Sequence, residues 1–155
     1  MKFSTQEDME APIAAVFEML SSFENYERAA MRRGADVRRV DGLPVPGIGM
    51  KWDAQFDLRG KQRSLSVEVI TYDPPNEMVM ELTSPGLYGS TSCELIALSR
   101  ARTRIMIALE VRPQTLAARV MLQPLKLTKA TLNKRFKARA AQYLKEIEAG
   151  YQARA

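Results

Sequence analysis

Between Met50 and Val111 the apolar side chains fall on alternate residues, and the runs that carry them are separated by short turn signals. In MKWDAQFDL, Met50, Trp52, Ala54, Phe56 and Leu58 alternate with Lys51, Asp53, Gln55 and Asp57, the period of a strand with one face in a core. RG at 59–60 reads as a turn. Leu65, Val67 and Val69 then alternate with Ser64, Ser66 and Glu68, and YDPPN at 72–76 forces a second turn because neither proline can donate to a ladder. Met78, Met80 and Leu82 alternate with Glu77 and Glu81 up to SPG at 84–86. YGSTSCELIAL alternates less clearly but has the length of a strand, and after RART at 100–103 the positions Ile105, Ile107, Leu109 and Val111 form the last one. Strands that follow one another through short turns predict an antiparallel meander.

Helical periodicity flanks this meander on both sides. A polar strand-like run reaches Met9, and Pro12 then fits a first helical turn, where its missing N–H has no partner to lose. Val16, Phe17, Leu20 and Phe23 mark one apolar face, giving a short helix from about Pro12 to Ser21. Ser21, Ser22 and Glu24 start a second one through Tyr26, Ala30 and Met31, stopping at Gly34. After Pro113 the period returns, and Pro124 kinks the helix or begins its main section. From Leu125, a line through Leu132, Phe136, Ala140, Tyr143 and Ile147 predicts one amphipathic helix of roughly 25 residues, ended by Gly150.

The predicted class is therefore α+β. A curved antiparallel sheet of six to seven strands wraps a long C-terminal helix, and two short helices follow the first strand, all in one domain over residues 1–155. Such a sheet is at least about 24 Å wide, whereas a helix with its side chains is about 10–12 Å across. One helix does not cover that apolar face, so an internal cavity is expected. Its lining is read as Trp52, Phe56, Met78, Met80, Ile107 and Leu109 from the sheet, with Leu125, Leu132 and Phe136 from the helix.

The chain carries nine methionines, whose flexible thioethers suit a lining that repacks around guests but serve equally as core filler. It has no histidine, which removes His-based triads and His metal sites, and neither metal nor cofactor is expected. The lone cysteine, Cys93, has no partner for an internal disulfide, and MKFSTQEDME lacks the apolar core of a secretion signal. Both readings place the protein in the cytoplasm.

At the level of whole motifs the chain resembles the START-like, or SRPBCC, superfamily of polyketide cyclase and helix-grip proteins. The resemblance is carried by MEAPIAAVFEMLSSFENY, by PGIGMKW at 46–52, by VEVITYDPPNEM at 67–78 and by TRIMIALEV at 103–111. It spans nearly the whole chain and implies the helix-grip fold. For function it implies hydrophobic-ligand carriers, polyketide cyclases, ubiquinone-handling proteins and chaperone activators alike.

Catalysis of the cyclase or dehydratase kind needs a polar acid or base inside the cavity. The alternation puts Asp53, Asp57, Glu68, Glu77 and Glu81 outside and leaves Tyr72, Tyr88, Thr91 and Cys93 as inner polar groups, with Tyr88 the best candidate. Binding without chemistry requires less: a cavity and one or two cations hold an amphiphile with an anionic head. Lys129 and Arg139 lie beside the apolar line of the long helix, so their stems either snorkel outward or reach the cavity mouth.

Net charge is +5, and from Arg112 to Lys145 there are nine Lys or Arg and no Asp or Glu. That run suits a solvated face, an anionic phospholipid surface or an acidic partner protein. It lacks the exposed aromatics of a nucleic-acid site, because Phe136 and Tyr143 belong to the buried stripe. The expectation is a carrier or sensor of a hydrophobic small molecule, with a membrane surface as second partner, no nucleic acid and no assigned oligomeric state.

Overall fold

The computed structural model describes residues 1–154. Its elements are β1 (Lys2–Met9), α1 (Ile13–Leu20), α2 (Phe23–Arg32), β2 (Asp36–Arg39), β3 (Lys51–Leu58), β4 (Lys61–Asp73), β5 (Glu77–Ser84), β6 (Leu87–Ser99), β7 (Arg102–Pro113), α3 (Leu116–Leu127) and α4 (Lys129–Arg154). Seven antiparallel strands form one open sheet in the order β1-β7-β6-β5-β4-β3-β2. The first strand thus pairs with the last, from Lys2 opposite Glu110 to Met9 opposite Thr103.

Local chemistry sets the joints. Pro12 caps α1 with φ −62°, the angle its ring imposes. Arg59 and Gly60 both have positive φ, 52° and 76°, which makes the tight turn whose twist suits the β3–β4 hairpin. An arginine in this left-handed region is strained, whereas asparagine visits it readily. Arg59→Asn is therefore expected to raise the melting temperature by about 2–4 °C, read by thermal unfolding. An unchanged or lower midpoint would show that the arginine side chain compensates its backbone. In β4 the register shifts between Val69 and Thr71, so Tyr72 returns to the face of Leu65, Val67 and Val69 although the sequence parity has changed.

The C-terminal region departs from the expected single helix. Pro124 lies inside α3, where it deletes one hydrogen bond of the ladder, and the helix ends a turn later at non-helical Thr128. A separate α4 of 26 residues, about 39 Å long, starts at Lys129 and runs through Gly150 to Arg154. Gly150 is exposed, and a solvated glycine costs a helix only about 1 kcal/mol, so it does not act as a stop.

The core fills the end of the concave face where β1 finishes, here called the upper end. Val16, Phe17 and Leu20 of α1 are buried against β6 and β7, with Leu95 and Ile105 beneath them. Phe23 packs on Trp52 with ring centres 5.2 Å apart, and Phe17 meets Tyr72 edge-on at 5.5 Å. Trp52 Nε1 donates to Glu27 Oε1 at 2.7 Å, and the fully buried Thr103 Oγ1 donates to the Ala11 carbonyl at 2.8 Å, so both interior donors are satisfied. α4 lies along β1: Phe136 packs on Phe3 at 5.9 Å near one end, and Glu148 accepts from the Glu10 N–H at the other.

Candidate functional site

Register places the concave face residue by residue. Leu109, Thr91 and Met80 are neighbours across β7, β6 and β5, and the row below them is Val111, Gly89, Leu82 and Val67. Towards the lower end follow Leu65 with Ala54, then Arg63 with Phe56, then Leu58 at the hairpin. Apart from buried Gly89 and exposed Leu58, these residues are only half-buried, while the same two rows end in buried Phe3, Val69 and Trp52. The lower half of the concave face is therefore an apolar trough with Leu132 and Phe136 of α4, also half-buried, on one side. α4 packs mainly along β1 at the sheet edge, with Tyr143 meeting Tyr26 of α2 at 6.1 Å.

The predicted lining divides accordingly. Phe56, Met80, Ile107 and Leu109 are half-buried on the concave face, and Leu125, Leu132 and Phe136 are half-buried on α3 and α4. Trp52 and Met78 are instead buried in the core, Trp52 beside Val67 at the β3 side of the sheet, where Phe23 at the start of α2 covers it. Lys129 and Arg139 are both exposed. Tyr88 is a correction. It stands opposite Thr83 and Arg112, in the parity of Ser90 and Ser92, and so belongs to the convex face. There partial desolvation, then the nearby Glu81, holds its hydroxyl above the usual tyrosine range.

Two recesses, of about 410 and 180 Å³, lie on that convex face rather than inside, where Ser4, Ala108 and Ser92 leave a dip across β1, β7 and β6. They are shallow consequences of small side chains. The larger is bordered by Lys137.

The polar groups of the concave side differ in character. Cys93 is largely buried, and burial pushes its thiol up to about 12, which keeps it protonated and unreactive. The Tyr26 hydroxyl donates to the Leu20 carbonyl at 2.7 Å, and burial raises both it and the neighbouring Tyr143. Arg63 is the group the sequence reading missed. Its Nε is shielded from solvent and has no hydrogen-bond partner among the described residues. The signal was available, since 63 continues the inward parity of Leu65, Val67 and Val69, but a cation at that position reads as the start of a turn.

No helix among the described residues is long and apolar enough to cross a membrane. No family model matches the chain, and no curated protein matches it. Solved structures do. A point mutant of norcoclaurine synthase from Thalictrum flavum, in complex with a transition-state analogue, is 12% identical with a TM-score of 0.65, over 98% of this chain and 96% of that one. The Zhui aromatase/cyclase from Streptomyces sp. R1128 is 16% identical with a TM-score of 0.64, over 96% and 93%. Ara h 8.0201 is 15% identical with a TM-score of 0.62, over 100% and 99%. The chain has the helix-grip fold, and at these identities the likeness is one of fold.

Proposed function

We propose that this chain is a single-domain cytoplasmic carrier or sensor, binding a hydrophobic or amphipathic small molecule in the lower trough without transforming it. The observation that carries the reading is the strip Phe56, Leu65, Met80, Leu82 and Leu109, apolar and on the inner face yet only half-buried. Covering such a strip is worth about 25 cal/mol per Å² to any apolar guest. The neighbours' names support it: a relative in fold holds a transition-state analogue, and another is called an aromatase/cyclase. Their chemistry does not follow. Tyr88 stands on the wrong face, and the Cys93 thiol is held protonated.

Arg63 gives the guest a polarity. An unpartnered guanidinium nitrogen beside Phe56 suits a carboxylate or phosphate head, with the apolar tail running along the strip. The test compares a fluorescent fatty acid with the matching neutral alcohol. Both are expected to bind, the acid about tenfold more tightly, and Arg63→Leu is expected to erase that difference without loss of stability. Failure of both to bind, with nothing lipid-like in native mass spectra of the purified protein, would remove the trough reading. An unchanged preference in Arg63→Leu would remove only the head-group contact.

A further inference from the structure

The short helix α3 is apolar on two opposite sides. Its inner side, Ala118 and Leu122, is buried against the sheet end, and Leu125 is half-buried beside them. The attachment is firm. Thr115 Oγ1 accepts from the Ala118 N–H at 3.1 Å, Gln114 N donates to the Gly86 carbonyl at 2.8 Å, and Gly86, at φ +78°, approaches so closely that a Cβ would lie 2.9 Å from Thr115 Oγ1. At about 100° per residue, Leu116, Val120 and Leu127 fall within about 40° of one line on the opposite side. They are 78%, 58% and 90% exposed. An apolar stripe on a helix ordinarily faces a core.

The flank of this outward stripe is basic. Arg119 and Lys126 lie on one side of it, Lys129 follows at the start of α4, and Arg59 and Lys61 sit at the β3–β4 turn of the same end of the sheet. Among the described residues none of these five takes part in an ion pair. No acid occurs between Arg112 and Lys145, and exposed Asp57 near the hairpin makes no ion pair with Arg59 or Lys61.

We propose that the outward face of α3 docks on an anionic lipid bilayer, lying in the interface with Leu116, Val120 and Leu127 below the head groups and Arg119 and Lys126 among them. A bilayer supplies both an apolar medium for the stripe and negative charge for its basic flank. A second copy of the chain supplies only the first. A twofold contact through this face sets the two basic flanks near each other, and a 12-residue helix offers far less than the roughly 800 Å² per partner of a stable interface. The inference stands on exposed side chains alone and does not depend on what the trough holds.

The test is flotation of the purified chain with phosphatidylcholine vesicles, with and without phosphatidylglycerol. Wild type is expected to float with the anionic vesicles and to be released at high salt as the charges are screened. Changing Leu116, Val120 and Leu127 together to Gln is expected to weaken binding about 100-fold, and Arg119→Gln with Lys126→Gln about 30-fold. All five positions are exposed, so an unchanged melting temperature is expected in both variants. Absent flotation of wild type overturns the proposal, as does undiminished flotation of the Gln triple variant. A wild-type dimer that becomes monomeric in the triple variant also overturns it, because the face is then covered by a second copy.

Discussion

Ile105→Ala is expected to lower the unfolding free energy by about 3–4 kcal/mol, or roughly 10 °C in midpoint, while leaving fatty-acid affinity within about twofold. Ile105 is 0% exposed, on the row between Glu7 and Leu95 and beneath α1. Truncation leaves a void that the two short helices cannot collapse into, because Val16, Phe17 and Leu20 are already committed to several neighbours. Urea unfolding followed by the fluorescence of Trp52, the single tryptophan, reads the change directly, since its ring is packed on Phe23 in the same core. A loss under about 1 kcal/mol would mean that the upper half of the concave face is not densely filled. A large loss of affinity would mean that guest and core share one space.

The division of the concave face into a filled and an unfilled half is the feature least visible in the sequence. Strand positions and hairpins were legible because period-two runs and the turn residues RG, DPPN and SPG are local signals, and each became a joint of the seven-stranded sheet. Pro12 announced α1 for the same reason. What α1 and α2 cover depends on where Phe17 and Phe23 land, Tyr72 and Trp52 in this fold, and those contacts join residues far apart in the chain.

The side taken by Tyr88 was not legible either. Its strand, with Ser90, Ser92 and Glu94 outside and bare Gly89 and Thr91 inside, is too polar on both faces to reveal its parity. The break at Thr128 was hidden because Leu132, Phe136 and Tyr143 keep the phase begun before it. Arg63 was passed over because sequence patterning treats charge as outward, whereas this strand carries a cation on its inner side near the trough's lip.

Thr91→Trp is expected to weaken binding of the fluorescent fatty acid by at least about 100-fold with a stability change near or below 1 kcal/mol, the inverse of the core variant. Thr91 stands between Met80 and Leu109 at the junction of the filled and unfilled halves. Two residues along the same strand is buried Gly89, where a Cβ would meet the Glu110 carbonyl at 2.9 Å and the Leu82 side chain at 3.6 Å. An indole at 91 is expected to lie over half-buried Met80, Leu82 and Leu109 and so to cover apolar surface that the guest would otherwise cover. The substitution therefore replaces the guest instead of overpacking the core, and the variant is expected to melt within a few degrees of wild type. Retained affinity in a folded Thr91→Trp protein would place the guest elsewhere, with the small-residue recess beside Ser92 and Lys137 on the convex face as the next location to probe. Loss of both affinity and stability would instead show that Thr91 is already enclosed, and that the trough is continuous with the core that α1 and α2 form above it.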